Sequence, residues 1–342
     1  MSEKPLDYWQ FFADDARRTG SELYARLSEG VRGDAELRAM CANARPGQPH
    51  ANLLFGAVHF LLLRGAQHPL RAFYPDLGGA SAGDPFPVFR DFCLVHRVEL
   101  EALINTRVTN TNEVGRSAIL HPGFRAAAEA TKAPLYTIEI GPSAGLNLIW
   151  DSYGVRYRKD GKTIAAIAPD APLVIECESR GDKIPPTGAS PKIAGRIGLE
   201  LNPVDLSNID DRDWLRALMW PDQISRLERL DKAIALFAKA HPKILAGDAL
   251  ALLPEAMAEA PQDAAICVYH TIAVYQFSRA MKQALDDILT AAGLRRPVLR
   301  LSFEMEALHE CELKLIRYHD GTKDERVLAA SHPHGTWIEW RA

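Results

Sequence analysis

Cysteine is scarce and poorly spaced for structural work. The five residues (Cys41, Cys93, Cys177, Cys267, Cys311) are scattered through 342 positions without a C-x-x-C pair. An odd, dispersed set excludes a disulfide framework and a zinc knuckle, and it fits a reducing cytoplasm. Cys177 and Cys267 lie in apolar, strand-like runs and read as inert core thiols. Positive charge is not in excess: the formal net charge is −4, which leaves no basic face for nucleic acid. Long hydrophobic runs are missing too. The most apolar one, LLFGAVHFLLL (Leu53 to Leu63), has about half the length of a membrane span and contains a histidine, so a buried helix is expected. The opening MSEKPLDYWQFFADDARR is amphipathic and acidic, without the apolar centre of a signal peptide. Neither an internal repeat nor a low-complexity segment occurs. What is present, 47% hydrophobic and 25% charged residues, is a globular composition sized for one large domain or two unequal ones.

Two patterns divide the chain. From Tyr8 to about Ala130 apolar residues recur every three or four positions, as in YWQFFADDARRTGSELYARLSEGV, and no strand is expected. From Pro134 onward short apolar runs alternate with helical stretches, which argues for a parallel sheet covered on both faces. The tail, ELKLIRYHDGTKDERVLAASHPHGTWIEW, reads instead as strands joined by tight turns. The expected architecture is therefore α/β: a helical N-terminal domain or lid over residues 1–130, then a Rossmann-like domain over 131–342. Its sheet is mostly parallel and ends in an antiparallel hairpin. A KDG turn between two β-rich runs predicts a small ribbon inserted near 153–182.

The stretch YTIEIGPSAGLNLIWD (Tyr136 to Asp151) carries the strongest signal. GPSAG reads as G-x-S-x-G, the elbow that presents a serine nucleophile. Nothing strand-like precedes it, and no oxyanion loop of the HGGG type lies upstream. A Ser143, Asp248, His332 or His334 order can still be assembled, so a serine hydrolase stays as an alternative. The other reading is a strand ending at Glu139, a glycine turn Gly141–Gly145, and a helix from about Leu146. Glycines there permit positive φ and close backbone approach, and a helix N-terminus offers unpaired N–H groups. A carboxylate at Glu139 suits a cationic or hydroxyl-bearing ligand better than a pyrophosphate, which points from NAD toward S-adenosylmethionine. A tight turn without any ligand is the plain alternative.

Two later acids fit that scheme. Glu200, in RIGLELNPVDL, ends a second strand where a carboxylate can accept ribose hydroxyls; Glu176 or Glu178 is the rival if LVIECES is that strand. Asp248, in ILAGDAL and followed by Ala249, comes after a third strand where an acid can accept the adenine amino group. Each acid could equally be a helix N-cap or a solvated loop charge. The layout resembles the Rossmann-like S-adenosylmethionine-dependent methyltransferases over roughly Leu135 to Trp340. Serine stands where their middle glycine would be. Through TNEVGRSAIL, EIGPSAGLNLIWDSYGVRY, GLELNPVDL and WLRALMWPDQISRLERL the whole chain resembles a bacterial family known as domain of unknown function 2332. That resemblance implies the fold more than an activity. The likeness to the methyltransferases implies Glu139, Gly141, Ser143, Gly145, Glu200, Asp248 and Ala249 as cofactor contacts.

Chemistry is expected beyond the carboxyl ends of the strands. His270, ending AAICVYH, could serve there as a general base, or hydrogen-bond within the sheet rim. Asn112, Glu113 and Arg116, in RVTNTNEVGRSAIL, could clamp a substrate carboxylate or phosphate, or merely cap a helix. His332 and His334 lack the further ligands a metal site needs and read as turn residues; no metal is expected. Trp214 and Trp220 are expected to pack. Methyl transfer needs alignment more than any particular catalytic group, so the acceptor is not legible beyond an expected small molecule. A diverged, non-catalytic binding protein on the same fold is the remaining alternative, and the oligomeric state is not encoded legibly.

Overall fold

The computed structural model describes residues 7–342. The chain opens with six helices: α1 (Tyr8–Arg18), α2 (Glu22–Gly33), α3 (Ala35–Met40), α4 (His50–Leu63), α5 (Phe86–Val95) and α6 (Arg97–Thr106). Their starts are set locally. Asp7, Ser21 and Asp34 each accept a hydrogen bond from a backbone N–H of the first turn of α1, α2 and α3. The apolar run foreseen as a buried helix is α4, which is apolar on all sides and buried along nearly its whole length. No helix among the described residues is long and apolar enough to cross a membrane.

Next come α7 (Ser117–Thr131) and the first sheet strand, β1 (Leu135–Ile140). The predicted ribbon follows as β2 (Gly154–Lys159), β3 (Lys162–Ile167) and β4 (Val174–Arg180). The rest of the chain is β5 (Ile193–Glu200), α8 (Ile209–Ala217), α9 (Ile224–Ala240), β6 (Lys243–Ala246), α10 (Ala249–Ala258), β7 (Ala265–Thr271), α11 (Arg279–Gly293), β8 (Val298–Ala307), β9 (Glu310–His319), β10 (Thr322–Ser331) and β11 (Trp337–Trp340).

Two compact units form, and they do not meet at residue 130. One is the chain up to Thr111 together with Val204–Asp231; the other is Asn112–Pro203 with Lys232–Ala342. Thus α7, which lies within the region read as the helical domain, belongs with the sheet, while α8 belongs with the helices. Trp214 on α8 joins the core of Trp9, Tyr24, Phe55, Phe89 and Phe92, and Trp220 packs against it.

The second unit is built on one eleven-stranded sheet, in the order β3-β2-β4-β11-β10-β9-β8-β7-β1-β5-β6. Strands β6, β5, β1, β7 and β8 are mutually parallel, whereas β8, β9, β10 and β11 form an antiparallel meander. Asp160 and Gly161 in one turn, and Asp320 and Gly321 in another, all have positive φ, the backbone twist that two-residue hairpins require. The ribbon is not separate: β4 pairs in parallel with both β2 and β11. On one face α10 and α11 bury Leu253, Leu285 and Leu289 against Ile138, Val268 and Val298. The other face packs on α7, where a Cβ at Gly123 would stand 3.0 Å from Leu313.

Helix α11 approaches β9 most tightly at Gly293, where a Cβ would lie 2.9 Å from the carbonyl of Tyr318. Backbone cannot step aside as a side chain can. Gly293→Ala is therefore expected to destabilise by about 1–3 kcal/mol, as overpacking generally does. A urea midpoint unchanged from wild type would contradict this.

Candidate functional site at the strand reversal

Numbered by chain order, the five parallel strands read 3-2-1-4-5 across the sheet, and the order reverses between β1 and β7. In doubly wound sheets ligands bind in the crevice beyond the carboxyl ends at such a reversal. Two segments emerge there: the turn Gly141–Gly145 after β1, and residues 272–276 after β7.

The first turn winds through positive φ at Gly141 (71°), Ser143 (57°) and Gly145 (82°). Ser143 N–H donates to Glu200 Oε2 at 2.7 Å, and Asn202 N–H donates to Glu200 Oε1 at 3.0 Å. A Cβ at Gly141 would come within 2.8 Å of the Ala273 Cβ, so the segments leaving β1 and β7 touch. At Gly145 it would strike Ile244 and Phe237. The glycines thus have packing reasons as well as conformational ones. The helix expected from Leu146 does not form. Leu146–Ser152 is a 3-10 segment broken at Ile149, because the chain must enter β2 at Gly154. No helix macrodipole points at the turn.

Glu200 ends β5, the strand beside β1, whereas Glu176 and Glu178 lie on β4, far across the sheet. The choice left open between them falls on Glu200. Asp248 is exposed and accepts from Leu250 N–H at 2.8 Å as the N-cap of α10; Ala249 begins that helix. Two large apolar side chains also stand open along this edge: Leu201 after β5 (68% exposed) and Tyr275 after β7 (54%).

Glu139 is buried below the turn, and Tyr269 OH lies 2.9 Å from its Oε2 and 3.1 Å from Asn147 O. One hydroxyl carries one proton, and a carbonyl can only accept. Both contacts are satisfied together when Glu139 is itself protonated and donates to Tyr269. Burial agrees: it raises the Glu139 pKa to about 8, against the opposing pull of the Tyr269 hydrogen bond and the Arg116 charge.

His270 does not face the crevice. It is fully buried, with Nδ1 2.5 Å from Glu304 Oε1 and Nε2 2.9 Å from Arg300 Nε. Arginine only donates, so Nε2 must be the acceptor and the ring proton sits on Nδ1. The nitrogen a general base would use is already occupied. Burial, aided by the Arg300 charge, depresses the His270 pKa. Glu304 in turn accepts from the N–H groups of Ala273, Val274 and Tyr275. It pins a segment that starts with Ile272 at φ 54°, the one β-branched residue with positive φ among those described. Such a conformation costs of order 1–3 kcal/mol, and strain of this kind concentrates at functional sites.

Asn112, Glu113 and Arg116 brace this region. Asn112 Oδ1 accepts from Leu146 N–H, and Asn147 Nδ2 donates to the Glu113 carbonyl. The Glu113 carboxylate caps Val114–Arg116 through Gly115 N–H. Arg116 donates to Thr271 O and Pro333 O. Glu113 caps the short turn that follows it, whereas Asn112 bridges to the distant amide of Leu146. His332 Nδ1 accepts from His334 N–H within a turn, and Asp248 meets no histidine among the described residues, so the Ser143–Asp248–His triad is not assembled. No group of three or more His, Cys, Asp or Glu suited to a metal ion occurs among the described residues.

Sequence reasoning passed over Arg300, Glu304 and the Arg196–Asp151 pair, whose bidentate contact (2.7 and 2.8 Å) also fixes Leu148 O. A signal existed for the first two. A sheet covered on both faces has apolar strands, and LRLSFEM breaks that rule with two charges, Arg300 and Glu304.

Glu139 holds its proton up to about pH 8 when folded and releases it near the ordinary glutamate value of 4.5 when unfolded. Between those values the folded state binds more protons, so the stability this group contributes is lost as pH rises through the window. Glu139→Gln should flatten the dependence and exceed wild type above pH 8. The gain should reach up to a few kcal/mol, since each tenfold change in proton affinity is worth about 1.4 kcal/mol. Urea midpoints at pH 6 and 9 that move in parallel for both proteins would refute it. For His270, nitrogen NMR at neutral pH should show an unprotonated Nε2; a proton on that atom would overturn the Arg300 assignment.

A family model described as an uncharacterized protein conserved in bacteria, domain of unknown function 2332, matches residues 7–340. No curated protein and no solved structure matches the chain. With the match running from before α1 through the whole sheet, the chain belongs to the domain of unknown function 2332 family.

Proposed function

We propose that the α/β unit binds S-adenosylmethionine along the carboxyl edge of β1, β5 and β6 and transfers its methyl group to a small-molecule acceptor. The observation that carries this reading is the hydrogen bond from Ser143 N–H to Glu200. A dinucleotide needs bare N–H groups in such a turn for its pyrophosphate. Here one of them is taken by the chain's own carboxylate, which leaves negative charge where phosphates would lie. A sulfonium, an ammonium group and ribose hydroxyls suit that charge. Glu200 retains lone pairs for hydroxyls, Asp248 retains an oxygen for an amino group, and Leu201 and Tyr275 offer apolar surface for a flat base. Transfer itself is a displacement at the methyl carbon, and alignment does most of the work.

Isothermal calorimetry with S-adenosylmethionine and S-adenosylhomocysteine tests the reading. Binding should weaken at least tenfold in Glu200→Ala and in Asp248→Ala, with both variants still folded by circular dichroism. Unchanged affinity in both would remove the site. A second reading, a diverged protein that keeps the fold without this cofactor, draws on Gly141 and Gly145, whose lack of a side chain the packing of Ala273, Ile244 and Phe237 already explains. No heat with either compound at high concentration would favour it.

A further inference from the structure

The helical unit contains a buried polar cluster independent of the cofactor reading. His59 on α4 is fully buried, with Nδ1 3.0 Å from Ala217 O and Nε2 2.9 Å from Asp76 Oδ2. The carbonyl can only accept, so Nδ1 carries a proton. Nε2 is hydrogen-bonded to Asp76 Oδ2. The Asp76 side chain is 2% exposed. Its other oxygen, Oδ1, is buried without a hydrogen-bond partner, as are Tyr74 OH and Asp222 Oδ1.

These atoms belong to one neighbourhood. The Tyr74 and His59 rings lie 5.4 Å apart. Tyr24 OH is 3.5 Å from Phe55 O, one helical turn before His59, and the Tyr24 ring is 5.9 Å from that of Trp220. Asp222 Oδ2 accepts from Leu23 N–H, beside Tyr24. The charges of Asp76 and Asp222 act on both tyrosines, and that of Asp76 acts on Asp222. Buried polar atoms in folded proteins are nearly always paired. Here Asp76 Oδ1, Asp222 Oδ1 and the fully buried Tyr74 OH have no hydrogen-bond partner, while the Asp222 carboxylate is held by the Ser21 hydroxyl and the Leu23 N–H.

We propose that this cluster is a binding site for a small primary ammonium group, gripped by Asp76, Asp222 and Tyr74 beside the rings of Tyr24 and Trp220. The count of donors fits: an ammonium has three N–H groups, and the cluster has three unmet oxygens. The charge fits as well. Burial, with the neighbouring Asp76 adding to it, raises the Asp222 pKa, and a monocation beside the two carboxylates relieves that cost where a water molecule does not. Aromatic faces add attraction for a cation and none for an anion.

The test uses the full chain with no adenosyl compound present, so its outcome is separable from that of the cofactor reading. Methylammonium chloride is titrated against sodium chloride at equal ionic strength, and thermal unfolding is followed. A saturable rise in melting temperature is expected for wild type. Half-saturation should move at least tenfold higher in Asp222→Asn and Tyr74→Phe, and the latter alone decides if the former does not fold. The proposal falls if no saturable rise occurs or if the variants titrate like wild type. It falls equally if crystals grown in methylammonium hold only water between Asp76 and Asp222.

Discussion

The exits of β1 and β5 are tied by hydrogen bonds from Ser143 N–H to the Glu200 carboxylate and from Gly141 N–H to Leu199 O, and the turn between Gly141 and Gly145 is built around them. A turn that passes three times through positive φ has no regular ladder for its amides, and this one is buried. Each polar group must therefore find a specific partner. Asn112 takes the amide of Leu146, Tyr153 donates to its carbonyl, and Arg196 donates to the carbonyl of Leu148. Gly198 on β5 has no side chain because Pro142 lies against it. The turn is consequently a rigid object held from several directions, not a loop awaiting a ligand to order it.

Partners of fixed character also dictate where protons reside. Arg300 forces one tautomer on His270, Asn147 O directs the hydroxyl of Tyr269, and Ala217 O does the same for His59. In each case a group that can only donate or only accept removes the ambiguity of its neighbour. For the segment after β7, the same chemistry has a mechanical effect. Glu304, fixed by His270, holds three successive amides and keeps Ile272 in a conformation it would not otherwise adopt.

Much of this fold was legible because its patterns are local. Helical periodicity from Tyr8 to about Ala130, the tight turns of the ribbon and of the C-terminal tail, and the alternation of strands and helices after Pro134 could all be read from spacing. Glu200 was one of the candidates for the acid of the second strand, with Glu176 and Glu178 as rivals, and only the sheet order chose between them. The rest depended on distance in the chain. Nothing in LNLIWDSYG announces that its helix is cut short, since the cause is the β2 strand that follows and the Asn112 side chain that precedes it. His270 looked exposed at a strand end, and its burial depends on Arg300 and Glu304, both thirty or more residues later. The placement of α8 in the helical core could not be read either, because Trp214 is apolar enough to serve in any interior.

The last strand has a consequence for how the chain reaches this state. The β3-β2-β4 ribbon joins the remaining sheet through β11 alone, the four residues Trp337–Trp340, which sit between β4 and β10. A ribosome releases β4 some 150 residues before β11, at a synthesis rate of roughly 5–20 residues per second. For many seconds the outer side of β4 is an unpaired edge, open to strands of other molecules until its own C-terminal partner arrives. Sheet closure is then a late event with a long loop to close, the kind of pairing that slows folding and favours protection of the nascent chain.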